Sequence, residues 1–191
     1  MTSHPFTRRV QRIAVRAALI ACVGCGLAQP AAADIDAPAL ARVRSTDPSL
    51  AALIDRAAAG SVTFQGLLAS IGRSNGIVYV DPGTCSHRVR GCLKMWMATV
   101  GPTRFLRIVI DTRNCTSDED VMGLMGHELQ HAVEALSESG VTDSVRLYNF
   151  FTRFAPTVGA RFETTAALHA GDDVREELLR EAGGSGHRCR R

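Results

Sequence analysis

No apolar run in this chain is long enough to cross a bilayer. The most apolar one, AALIACVGCGLA at 17–28, falls well short of the ~20 residues a spanning helix needs. The first 33 residues contain no acidic residue. Beyond them there is no C-x-x-C pair, which argues against a zinc–thiolate cluster. There is no internal repeat and no long low-complexity segment, so solenoids and fibrous folds are excluded. An excess of positive charge is also missing where it would matter. Four of the 22 Lys and Arg lie within the first 33 residues, leaving 18 basic against 19 acidic residues in 34–191, net −1. The basic character belongs to the N-terminus, and nothing in the rest points to nucleic acid.

That N-terminus has its own pattern. MTSHPFTRRVQRIAVR is basic, the short apolar run follows, and AAA precedes Asp34. A basic region, an apolar region and a small-residue end describe a secretory signal peptide, here cleaved after Ala33. The chain is then expected to be exported, periplasmic or extracellular, with no transmembrane span in its mature part. Three variants stay open. Arg8-Arg9 resembles a twin-arginine signal. LIAC (19–22) resembles a lipobox, with Cys22 as a lipid anchor. The segment could also be a buried N-terminal helix. Export permits disulfides, and Cys85, Cys92, Cys115 and Cys189 remain. Four cysteines allow three pairings. Cys85 and Cys92 bracket the short loop SHRVRG and are the expected local bridge; Cys115–Cys189 is the expected second.

The remaining 158 residues suit one domain with a real core. The expected division is a signal peptide at 1–33, a single domain at 34–182 and a flexible tail at 183–191. Residues 34–46 form a loose lead-in. Asp47 caps a helix over 48–60, which stops at Gly60, and Ser61 caps a second with Phe64, Leu67, Leu68 and Ile71 at helical spacing. GIVYVDPG (76–83), LKMWMATV (93–100) and RFLRIVID (104–111) are expected strands, the last two joined through GPT. Ser117 with Asp120 approximates a capping box for a long helix over 118–138, and three acids in its first turn suit its N-terminus. Two further helices are expected, over 143–155 and 159–183, the latter broken near Gly171. The fold class is α+β, a small three-stranded sheet packed against a helical half.

The long helix carries MGLMGHELQHAVEAL (122–136). At about 100° per residue, His127, His131 and Glu134 share one face with Asp120, Leu124 and Glu138. Val121, Met125, Leu129, Ala132 and Leu136 lie opposite and form the core face. Side chains at i and i+4 are neighbours, so two imidazoles can converge on one ion at N–Zn distances of about 2 Å. Glu128 lies about 100° to the side, beside the ion but angled away from it, where it could move a proton. A chance H-E-x-x-H has odds on the order of one in a hundred per chain. Chance also would not supply the capped helix and its amphipathic phase.

This segment resembles the active-site helix of zincin metallopeptidases, specifically the gluzincin group. HELQH is the specific motif, and the resemblance covers roughly residues 76–170. It implies a zincin-like fold and one Zn2+ held by His127, His131 and a glutamate on a downstream helix. It also implies Glu128 as general base, a peptide or protein substrate, and a nearby edge strand that aligns it. RFLRIVID is the candidate for a strand near that cleft.

The metzincin continuation H-x-x-G-x-x-H is absent, since AVEALSES follows His131. The candidates for the third ligand are Glu134, Asp143, Glu163 and His169. Glu134 shares the histidine face but lies two turns from His127, and holding a ligand histidine suits it better. Asp143 is explained by helix capping. His169 has suitable chemistry but stands alone. Glu163 fits best: RFETTAA puts it in a new helix, 32 residues after His131, among small neighbours that let two helices approach. Many gluzincins carry an aspartate four residues later that buttresses the first histidine. Here that position is Ala167, and Glu134 or Asp120 would have to substitute. Tyr148 and His169 are candidates to stabilise the transition state, while Arg153 and Arg161 read as surface residues. The expected function is therefore an exported zinc metallopeptidase. A non-catalytic, zinc-stabilised binding or scaffold protein of the cell envelope is the alternative, and a helix with two incidental histidines is the plain one.

Overall fold

Two acceptor side chains start the helical half of the fold. Asp47 accepts from Leu50 N (2.9 Å) ahead of α1 (Pro48–Gly60), with Pro48 in the first turn, where its missing N–H costs nothing. Ser61 accepts from Phe64 N (3.0 Å) to start α2 (Val62–Arg73). The structure, a computed structural model, describes residues 42–86, 89–113, 117–154, 157–158 and 161–183. The expected signal peptide and the Cys115–Cys189 pair lie outside them.

Strands β2 (Gly76–Pro82), β3 (Gly91–Val100) and β4 (Thr103–Ile110) form where expected. The sheet has a fourth strand, the two-residue β1 (Val43–Arg44), which pairs parallel with β2 inside the expected lead-in. Strand order is β1-β2-β4-β3, with β2 and β4 parallel and β3 and β4 antiparallel. The β3–β4 turn runs through Gly101 at φ 57°, a conformation that favours glycine. RFLRIVI is β4, paired on both sides, so it cannot receive a substrate strand. The edge beside the helices is β3.

The long helix α3 (Asp118–Ser137) is capped by Ser117, which accepts from Asp120 N (3.2 Å). Arg56 of α1 pairs with Asp118 and Glu119 in its first turn. Its C-terminus is closed by the buried Arg104 of β4, which donates to the carbonyls of Ala135, Leu136, Glu138 and Val141. Helix α4 (Ser144–Phe154) follows, with Asp143 accepting from Arg146 N (2.9 Å). Its first residue lies against β3, where Ser144 Oγ accepts from Met97 N (3.0 Å).

The expected helix over 159–183 is corrected at its start. Residues 161–162 are β6 (Arg161–Phe162), paired antiparallel with β5 (Thr157–Val158). Helix α5 begins at Thr165, capped by Thr164, and runs unbroken through Gly171 to Glu181. Gly171 marks a close crossing instead of a break. A Cβ there would lie 3.0 Å from His127 Cβ and 3.1 Å from Gly123 O; one on Gly126 would lie 2.8 Å from Val174 Cγ2. Only glycine lets α5 rest this deep on α3.

The core joins Phe64, Leu68 and Ile71 of α2, Val78 and Val80 of β2, Leu106 and Ile108 of β4, Met122, Met125 and Leu129 of α3, and Val174 of α5. Each large side chain of this kind contributes about 1.5–3 kcal/mol by burial. Glu177 of α5 accepts from Ser61 Oγ (2.6 Å), Thr63 Oγ1 (2.8 Å) and Thr63 N (3.0 Å), fixing α5 to the start of α2. The fold of the described residues is thus α+β, five helices with a four-stranded sheet and the β5–β6 pair. Among the described residues no helix is long and apolar enough to cross a membrane.

Candidate metal centre

The α3 helix presents His127 and His131 one turn apart, with ring centroids 5.0 Å apart and planes at 79°. Glu163 meets them from the segment between β6 and α5. Its Oε1 lies 3.2 Å from His127 Nε2 and 3.7 Å from His131 Nε2. One donor atom from each of the three falls within 4.8 Å of the others, and the group could hold a metal ion. Three ligands on a tetrahedron of about 2.0–2.1 Å radius stand about 3.3 Å apart, so the donors are already near the spacing such an ion requires. Two imidazole nitrogens and a carboxylate oxygen are a donor set that suits zinc.

The histidine face is not an exposed polar stripe. His131 is only 5% exposed, and Asp120 and Glu128 are buried as well. Helix α5 covers this face and answers its polar groups. Arg175 of α5 donates to Asp120 Oδ1 at 2.6 Å, and Glu163 faces the histidines. The α3 helix therefore buries two faces, an apolar one on the sheet and a polar one under α5.

Glu163 is also not in a helix. It immediately precedes Thr164, the N-cap of α5. The sequence carried a signal for this: Thr164 three residues before Ala167 is an N-cap pattern, and Thr164 Oγ1 does accept from Ala167 N (3.1 Å). Glu163 Oε1 further accepts from the Thr164 N–H (3.2 Å).

Glu134 takes the supporting place expected of it. Its Oε2 lies 3.1 Å from His131 Nδ1, and its Oε1 accepts from Thr164 Oγ1 (2.8 Å). A carboxylate on Nδ1 leaves Nε2 of His131 to face Glu163. The electrostatics follow. Burial opposes a charged His131, but its hydrogen bonds to Glu134 and Glu163 outweigh it and push the ring up to about 9. Burial also opposes ionisation of Glu163, yet the hydrogen bonds from His127 and His131 hold it down at about 2. Glu134 is likewise lowered: burial opposes, and the bonds to His131 and Thr164 win.

Glu128 has a different environment. Its Oε2 accepts from Leu93 N of β3 at 2.6 Å. Burial raises its pKa, against the lowering influence of the His127 and His131 charges. The β3 register places Leu93 so that its N–H points away from β4, off the free edge of the sheet. Gly91 gives the carboxylate room, since a Cβ there would lie 2.9 Å from Glu128 Oε1. This segment is pinned by the expected Cys85–Cys92 disulfide, whose Cα atoms are 6.0 Å apart.

The other candidates separate. Asp143 caps α4 as expected. His169 is exposed on α5 and outside the triad. Tyr148 is 51% exposed, its ring edge-on to Phe162 at 5.5 Å. Phe162 stacks on Phe151 at 6.1 Å, and Phe151 meets His131 edge-on at 5.5 Å. Tyr148 thus stands at the end of an aromatic row that begins on a candidate ligand. Sequence reasoning missed Phe151, Thr164, Gly171 and Arg175, each of which touches the site or fixes an element that does. No protein-family model matches the chain, and no curated protein or solved structure does either.

Proposed function

We propose that this chain is a zinc-dependent hydrolase of peptide bonds with a gluzincin-like ligand set of His127, His131 and Glu163. The observation that carries the reading is the convergence of these three side chains from two separate segments, with Glu128 seated beside them against the free edge of β3. When bound, zinc supplies a Lewis acid and a water acidic enough to ionise near neutral pH. Glu128 accepts the proton of the attacking water and returns it to the leaving nitrogen. A carboxyl whose pKa is raised by burial suits both halves of that task. His131 is held in one tautomer by Glu134. The peptide lies along the outward edge of β3 beside Glu128, in the extended form that a strand edge favours. Tyr148, at the far end of the aromatic row, is the candidate to meet the oxyanion. The N-terminal sequence and the Cys85–Cys92 bridge support a location outside the cytoplasm.

The test compares wild type with Glu128→Gln on an unfolded protein substrate, with zinc content measured in both. The expected result is about one zinc per chain in each and a 10²- to 10⁴-fold lower rate in the variant, the range for a lost general base. Equal zinc with no cleavage by wild type supports the zinc-stabilised binding protein instead.

A further inference from the structure

Glu163, lying ahead of α5 instead of within it, cannot rely on helix geometry for its position. Three hydrogen bonds and one ion-pair contact join it to His131, Glu134 and Thr164 in a ring. His131 Nδ1 bonds Glu134 Oε2 (3.1 Å), Glu134 Oε1 accepts from Thr164 Oγ1 (2.8 Å), Thr164 N donates to Glu163 Oε1 (3.2 Å), and that same oxygen faces His131 Nε2 (3.7 Å). The ring links α3 to the start of α5 through a single hydroxyl. Thr164 Oγ1 serves twice, as acceptor for Ala167 N and as donor to Glu134. Glu134 also serves twice, on the ring of one candidate ligand and on the residue next to another.

We propose that Thr164 is a positioning residue for the metal, acting through Glu134 to hold His131 and Glu163 at one spacing. This deepens the metal reading of the triad and rests on it. Glu134 takes up the supporting role that the chain leaves open at Ala167, and it supports the second histidine. The coupling runs across elements that the sequence separates by 30 residues. It needs a donor hydroxyl at 164, which N-capping alone does not. Serine meets both requirements. Glycine caps a helix about as well as threonine but donates nothing from its side chain.

The experiment measures zinc affinity by competition with a chromophoric chelator for the full chain and for Thr164→Ser, Thr164→Gly, Glu134→Ala and the Glu134→Ala/Thr164→Gly double variant. Thermal unfolding of each zinc-free protein is recorded alongside. Thr164→Ser is expected to keep wild-type affinity. Thr164→Gly and Glu134→Ala should each lose about 10- to 100-fold, the usual effect of removing a group that orients a ligand. The double variant should lose no more than the weaker-binding single one. The zinc-free melting temperature of Thr164→Gly should stay within about 2 °C of wild type. Losses that multiply in the double variant, or full affinity in Thr164→Gly, would overturn the proposal while leaving the triad intact as a metal site. Failure of wild type to bind zinc at all would overturn the triad itself.

Discussion

Arg104→Met should be among the most damaging single substitutions in the protein, although residue 104 lies outside the candidate site. The guanidinium is 4% exposed. It donates to Leu136 O (2.6 Å), Glu138 O (2.8 Å), Val141 O (3.0 Å), Ala135 O (3.4 Å) and Asn75 Oδ1 (2.7 Å). Four of these acceptors are backbone carbonyls in the last turn of α3 and the segment just after it, where the helix supplies no further N–H. A hydrogen bond to a charged group contributes about 1.5–3 kcal/mol net. The five are not additive, and burial works against the charge, lowering the Arg104 pKa. Leaving a buried acceptor unsatisfied costs about 1–3 kcal/mol, so stranding several neutral acceptors together costs about 3–5 kcal/mol. Against a total stability of about 5–15 kcal/mol, that is a large fraction. For a domain of this size it corresponds to a fall in melting temperature of roughly 10 °C. Urea unfolding of zinc-free wild type, Arg104→Lys and Arg104→Met measures it. Lysine keeps the charge but cannot fork to both groups of carbonyls, so it should fall between the other two. A loss below about 1 kcal/mol for Arg104→Met would refute the claim that this side chain closes α3, since even one stranded carbonyl costs that much.

Three further outcomes are expected. Gly171→Ala should destabilise by up to about 2 kcal/mol, overpacking against His127 and Gly123 exceeding the gain in helix propensity. Gly66→Ala in the exposed part of α2, where a Cβ meets nothing within 4 Å, should stabilise by about 0.5–1 kcal/mol; equal stabilisation by both would contradict the close α3–α5 crossing. Zinc affinity should rise by about tenfold per pH unit from pH 6.5 towards 9, because the metal must displace the His131 proton. Over the same window the zinc-free protein should lose stability: a folded pKa raised above 6.5 contributes fully below that value and is lost as pH rises through 9. Competition titrations and melts at several pH values check both, and a flat affinity profile would contradict the assigned protonation. Hydrolysis should also gain little from peptides longer than roughly five residues, the length of Gly91–Met95, because Ser144 already occupies Met97 on the same edge. A rate that keeps climbing to ten residues would show that α4 yields to substrate.

The long helix was legible in the sequence because its signals agreed. Ser117 caps it, its apolar phase faces the sheet, and His127 and His131 lie off that phase. Asp47, Ser61 and the Cys85–Cys92 bridge were legible for the same local reasons. Non-local matters were not. A face that is polar by phase reads as solvated, yet α5 buries it, since the answering charges on Arg175 and Glu163 lie tens of residues away. Gly171 reads as a break, because a helical glycine costs about 1 kcal/mol in isolation; the contact with His127 that requires it cannot be seen locally. Phe162 and Glu163 were drawn into the following helix by its apolar spacing, although Thr164 marked its true start.

Anomalous diffraction at the zinc edge, from crystals of the zinc-loaded protein, tests the central claim most directly. The expected result is one peak per chain about 2.0–2.2 Å from His127 Nε2, His131 Nε2 and a carboxylate oxygen of Glu163. A peak bound by Glu134 or His169 in place of Glu163, or none between the two histidines, would contradict it.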